Sequence, residues 1–324
     1  MALLRHIIGA LAIVFVMAQA PAAIAAPTVT PLVSTDWLAA NLDRDDVLVL
    51  DIRSKGAKSG EEDYLKGHIP GALRSAYPGY WRTNRGSVTG VLPSVDKLEA
   101  SLSELGVSER KAVVIVPAGT DSTEFGAAAR IYWTLKYLGH DAVAILDGGH
   151  AAWVAEKRPL ETGAVTPRGD MFVADIQPEL LVATSDVAER MQSSAILVDG
   201  RPEAQFSGKA KHPNATRFGR IPGAQNLDQA QFFDADRGRL KDKTVLASLV
   251  PPTLADANVE IVSYCNTGHW AATNWFVLRE VLGHKNVTLY DDSMVGWSQD
   301  EALPMASERS MLDDIKAFFD GLLG

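Results

Sequence analysis

The stretch Val259-Glu-Ile-Val-Ser-Tyr264 runs straight into Cys265-Asn-Thr-Gly-His-Trp270 and then into Ala271-Ala-Thr-Asn-Trp-Phe-Val-Leu-Arg-Glu-Val-Leu282. A short apolar, β-branched run, a loop holding one glycine and a helical segment follow one another with no spacer. This order is that of a strand in a parallel sheet feeding a covering helix. Gly283-His284 ends the helix, because glycine takes the left-handed backbone that other residues resist. A further apolar run, 287–290, leads through Asp291-Asp292 to Trp297.

The same order occurs earlier in the chain. Gly139-His140 precedes the apolar run 142–146, then Asp147-Gly-Gly and Trp153, each a constant 144 residues before its counterpart. Upstream, Val47-Leu-Val-Leu-Asp51-Ile-Arg53 matches Ala195-Ile-Leu-Val-Asp199-Gly-Arg201, and Gly67-His-Ile-Pro-Gly-Ala72 matches Gly219-Arg-Ile-Pro-Gly-Ala224. Residues 112–116 and 125–138 stand for the strand and helix of the opening stretch. Agreement at so many special positions marks a duplication. The fold class is therefore α/β, two tandem domains, each a small parallel sheet flanked by helices. The expected boundaries are 26–162 for the first domain, a Gly- and Pro-containing linker at 163–178, the second domain at 179–305, and a C-terminal amphipathic helix within 306–324, packing through Leu312, Ile315, Phe318, Phe319 and Leu322.

Residues 1–25 read as a secretory signal peptide: Arg5, an apolar run over 7–17, then small residues with an Ala23-Ile-Ala25 site. The alternative is a membrane anchor, but the run falls short of the roughly 20 apolar residues that span a bilayer. The expected location is periplasmic or secreted, with no membrane partner after cleavage. A net charge of -9 argues against nucleic acid. The chain has one cysteine, which cannot form an internal disulfide in an oxidising compartment, so its retention asks for a function or for an inert buried place.

Its setting favours function. Cys265 lies at the carboxyl end of a strand, where open α/β sheets bind ligands. The loop Asn266, Thr267, Gly268, His269, Trp270 can turn backbone N–H groups inward as an anion nest, and the helix start adds partial positive charge. Both favour thiolate over thiol.

With the duplicated Asp-x-Arg, Ile-Pro-Gly-Ala and strand–Cys loop–helix pattern in view, the chain resembles the tandem rhodanese family of sulfurtransferases over nearly all of its length beyond residue 25. The resemblance implies a catalytic second domain and an inactive first one. In the first half, anchoring on the strand puts Ala118 in the cysteine position and anchoring on the helix puts Asp121 there. The loop is about three residues longer, and neither residue is a nucleophile. It implies a Cys265 persulfide, formed from a small anionic sulfur donor such as thiosulfate and discharged to a thiol, a protein thiol among them, or to cyanide, with no metal and no cofactor. The phosphatase relatives of this fold need an arginine six residues after the cysteine; here that residue is Ala271.

The loop departs from the family's usual forms. It carries neither the basic residues of thiosulfate-specific members nor the small residues and serine of mercaptopyruvate-specific ones. Gln205 occupies the place of a frequent anion-binding arginine. Lys209, Lys211, His212, Arg217 and Arg220 cluster nearby, and Arg220, backed by Arg217, is the expected replacement clamp; the alternative is an ordinary solvated loop. His269 is a cation or proton shuttle beside the thiolate, or a solvent-facing residue. Trp270 and Trp297 read as rim and core. Asp51–Arg53 and Asp199–Arg201 recur in both halves and so read as braces. His68, His140, His150 and His284 lack zinc-ligand spacing. The competing readings are a persulfide carrier for a partner protein and an assembly factor that does not need Cys265.

Overall fold

The computed structural model describes residues 26–53, 61–310 and 313. The signal-peptide segment and nearly all of the C-terminal helix segment lie outside the described residues. Two five-stranded parallel sheets are present. The first holds β1 (Leu32–Val33), β2 (Val47–Asp51), β3 (Leu73–Arg74), β4 (Ala112–Val116) and β5 (Val143–Leu146), in the order β1-β5-β4-β2-β3. The second holds β6 (Leu181–Val182), β7 (Ile196–Asp199), β8 (Gln225–Asn226), β9 (Ile261–Tyr264) and β10 (Val287–Tyr290), in the order β8-β7-β9-β10-β6. β4 and β9 are central, and every residue of both is buried. Such strands are covered on two faces, which is why they read as unbroken apolar runs and not as alternation.

Alternate residues serve different cores. Val114 and Val116 join Val49, Leu146 and Trp153 on the outer face of the first sheet, and Val262 and Tyr264 join Tyr290 and Trp297 on the outer face of the second. Val113, Ile115 and Ile261 face a single larger core to which both halves contribute. Its centre is the contact of helix α1 (Ser122–Tyr137) with the helix after β9, which is α-helical over His269–Trp275 (α3) and widens to a π-helix over Phe276–Val281. The uniform helix expected over 271–282 thus changes pitch where Trp275 and Phe276 meet Tyr132, whose ring stands 4.9 Å from that of Phe276 at 88°. Two short helices complete the repeat, α2 (Gly149–Ala155) and α4 (Ser293–Trp297), each closing against the end of its central strand.

Residues 163–177 carry no helix or strand and run along the first domain. Phe172 is buried there, and Asp175 and Gln177 donate backbone N–H groups to Leu138 and Tyr137 at 3.0 and 2.8 Å. No helix among the described residues is long and apolar enough to cross a membrane.

Candidate active site

Cys265 follows β9 directly and is 1% exposed, at the floor of a pocket of about 330 Å³ between the two halves. One side chain holds two of its loop's amides. Ser293 Oγ accepts the N–H groups of Cys265 and Gly268, both at 3.1 Å, and donates to the Tyr290 carbonyl at 2.8 Å. Met294 and Val295 donate to the carbonyls of Cys265 and Asn266 at 3.0 and 2.9 Å. Ser293 sits at φ +48°, a left-handed backbone that costs a non-glycine residue about 1–3 kcal/mol and persists only where surrounding contacts hold it. Two of the amides expected to form an anion nest are therefore spent on Ser293. The N–H groups of Asn266 and Thr267 have no acceptor among the described residues and are open to a ligand.

The carbonyl side of the loop is held by the first domain. Arg82 Nη2 donates to Thr267 O at 2.8 Å, and Arg130 Nη1 to Gly268 O at 3.2 Å. Arg130 also pairs with Asp291, whose other oxygen accepts the Leu92 N–H at 2.6 Å. Gly268 is required here. Its φ is +70°, and a Cβ would come within 2.3 Å of Arg130 Nη1 and 2.9 Å of Asp291 Oδ1.

His269 bridges the domains. Thr123 O, 2.8 Å from Nε2, can only accept, so Nε2 carries the proton and Nδ1 accepts the Tyr77 hydroxyl at 2.8 Å. Burial, and then Arg82, push its pKa down to about 3. Neutral, with both nitrogens engaged by the first domain, it fits neither alternative left open by the sequence, a cation or proton shuttle beside the thiolate or a solvent-facing residue. Trp270 lines the pocket, with Nε1 3.2 Å from Thr123 Oγ1.

The expected clamp is elsewhere. Arg217 donates to the carbonyls of Trp297, Ser298, Asp300 and Leu303. Arg220 lies over the Phe206 ring at 4.3 Å and pairs with Glu308 at 3.1 Å. Neither lines the pocket: unpaired carbonyls after α4 and the chain returning past Ala306 claim both guanidinium groups. Gln205 does reach the loop, accepting from Asn266 Nδ2 at 2.7 Å. Among the described residues no group of His, Cys, Asp and Glu could hold a metal.

Sequence reasoning missed Tyr77, Arg82, Thr123 and Ser293. Ser293 was readable, because it stands 144 residues after Gly149 in the repeat.

The position equivalent to Cys265 also needs correction. Val116 pairs with Asp51 as Tyr264 pairs with Asp199, and His150 donates to Pro117 O as Met294 donates to Cys265 O. Pro117, not Ala118 or Asp121, holds the cysteine position. Asp121 caps α1, accepting from the Glu124 N–H at 2.9 Å.

Comparison with known proteins agrees with this architecture. The model of the Rhodanese-like domain matches residues 34–156 and again 183–300. The chain is 31% identical to the 3-mercaptopyruvate sulfurtransferase of Escherichia coli, over 85% of this chain and 98% of that one. It is likewise 31% identical to the sulfur carrier protein TtuD of Thermus thermophilus, over 85% and 96%. It is 32% identical to a Mycobacterium bovis protein provisionally named thiosulfate sulfurtransferase 1, over 81% and 92%. The crystal structure of the Escherichia coli 3-mercaptopyruvate enzyme SseA superposes with a TM-score of 0.70 at 29% identity, covering 82% of this chain and 99% of that one.

Proposed function

Since this chain belongs to the Rhodanese-like domain family, with two copies in tandem, we propose that it is a sulfurtransferase working through a Cys265 persulfide. The thiolate attacks the outer sulfur of a small anionic donor, thiosulfate before 3-mercaptopyruvate. The bond from that sulfur to the rest of the donor breaks, and the leaving group, sulfite in the case of thiosulfate, departs with the electron pair. A thiol or cyanide then attacks the terminal sulfur, and the pair returns to Cys265. No metal or cofactor enters either step.

One observation carries this reading. The chain's single cysteine forms the floor of an interdomain pocket whose lining includes Arg82, His212 and the Asn266 and Thr267 loop, and no carboxylate. Charge and donor N–H groups there suit an anionic substrate and a persulfide anion. A second reading, a carrier that loads once and discharges to a partner, is favoured by the name of the Thermus relative. We extend the proposal to location: residues 1–25 support export to the periplasm or beyond.

The test is intact mass. Thiosulfate or 3-mercaptopyruvate should add one sulfur to the wild type and none to Cys265→Ala, and cyanide should remove it over repeated cycles as thiocyanate. Loading without repeated discharge favours the carrier. No loading by either donor would sink both.

A further inference from the structure

Arg82 stands apart from the other arginines that reach the two strand-end loops. Arg53 and Arg201 pair with Asp51 and Asp199, and Arg130 with Asp291. Arg82 has no carboxylate partner among the described residues. Two backbone carbonyls fix it, Gly90 O to Nε and Thr267 O to Nη2, both at 2.8 Å. A guanidinium has five N–H groups, so most of its donor capacity is unspent on these bonds. Its position is set tightly, since a Cβ on Gly90 would fall 1.9 Å from Nη2. A held guanidinium with open donors, 5.9 Å from the Tyr77 ring centroid and without a carboxylate, suits an oxyanion or carboxylate.

The place it holds is the pocket itself. Arg82 and Cys265 line the same cavity, and Arg82, Pro78, His212 and Thr267 also line a second cavity of about 310 Å³ that adjoins it. His212 accepts the Asn214 N–H on Nδ1 at 3.2 Å, so its Nε2 carries a proton and can donate. The position where the family pattern would supply an arginine is Gln205, whose side chain is taken by Asn266.

We propose that Arg82, supplied by the domain without a cysteine, is the residue that binds the anionic group of the sulfur donor. The inference rests on the sulfurtransferase reading for the donor's identity, but not for the existence of the anion site. That site takes a small oxyanion or carboxylate at the junction of the two cavities, with the reacting sulfur directed to Cys265.

The test uses the chain's single cysteine as its own reporter. Iodoacetate and iodoacetamide are of similar size and differ by one charge, and each alkylates Cys265 by displacing iodide. In the wild type, the iodoacetate-to-iodoacetamide rate ratio should exceed that of a free small-molecule thiol. In Arg82→Gln the ratio should fall by about tenfold to a hundredfold, the range of one charge-assisted hydrogen bond. The KM for thiosulfate should rise by a similar factor, and Arg82→Lys should fall between the two. Equal slowing with both reagents would assign Arg82 to loop support and overturn the proposal, as would an unchanged ratio. A wild-type ratio no higher than that of the free thiol overturns it without any variant. If the ratio behaves as expected but thiosulfate leaves Cys265 unmodified, the anion site stands and the sulfurtransferase reading fails.

Discussion

The loops 265–270 and 117–121 start from the same strand end and are braced alike. Arg201 grips Asp199 and donates to Gly219 O at 2.9 Å; Arg53 grips Asp51 and donates to Gly67 O at 2.9 Å. The brace therefore belongs to the fold and not to the chemistry. What differs is the fate of the loop amides. In the first half the Glu124 carboxylate accepts the N–H groups of Ala118 and Gly119, filling from within the place an anion would take. In the second half two amides go to Ser293 and those of Asn266 and Thr267 stay open. The first-half loop thus lacks more than a thiol, because two of its amides are already satisfied from within. The largest expected effect follows. Cys265→Ala should abolish sulfur loading, and adding Pro117→Cys to it should not restore any. A double variant that loads sulfur at residue 117 would break the comparison.

Next in size is the contact by which the first domain holds the second domain's loop. Arg130 is fully buried, pairs with Asp291 and lies over the Trp133 ring at 4.6 Å. Removing one partner of a buried pair leaves the other charge uncompensated and costs about 3–5 kcal/mol. Arg130→Met should lower the urea unfolding free energy by that amount and slow loading as Gly268 O loses its donor. A stability loss with unchanged loading would mean that the loop holds its shape without Arg130.

Glu124 is the third. Burial raises its pKa to about 7 from an ordinary 4.5, despite its two amide donors. The folded state thus keeps a proton that the unfolded state releases. The associated stability is fully present below pH ~4.5 and is lost as pH rises to about 7, a change of about 3 kcal/mol at 1.36 kcal/mol per unit. Glu124→Gln should remove that slope, read as the difference in urea unfolding between pH 5 and pH 7.5 for variant and wild type. Parallel pH profiles would show that burial does not raise the Glu124 pKa and that the side chain sits on its two amides as a full carboxylate at neutral pH.

The fold was legible because central parallel strands, glycine helix stops and Asp-x-Arg braces are local patterns, and the duplication displayed each one twice. Cys265 and its loop were legible for the same reason. The residues opposite the loop were not. Arg82, Tyr77 and Thr123 come from segments more than 140 residues away in the chain, brought to the loop only by packing α1 on α3. The basic cluster at 209–220 drew attention by composition, yet which carbonyls would recruit Arg217 depends on how the chain turns after Trp297, and no local pattern encodes that. Ser293 is the instructive case: the repeat aligned it with a glycine, and a hydroxyl in place of a hydrogen at a strand end was a visible signal.

That alignment supplies the smallest expected effect. Ser293 and Gly149 share a left-handed backbone, at φ +48° and +57°. At Gly149 a Cβ would meet Pro117 O at 2.4 Å and Gly119 N at 2.9 Å, so the first half has no room for a serine. In the second half the side chain fits and collects two amides, one of them the N–H of Cys265, which proline at 117 lacks altogether. Ser293→Gly makes the second loop resemble the first. Each orphaned N–H costs about 1–3 kcal/mol, while relief of the left-handed serine returns about 1–3 kcal/mol, for a net loss on the order of 2 kcal/mol in urea unfolding. Loading of Cys265 should slow as well, because its backbone loses the anchor that sets the thiol against the pocket. Lower stability with unaltered loading would make Ser293 a fold residue only. If neither changes, the two loops differ in their amides for reasons other than this hydroxyl.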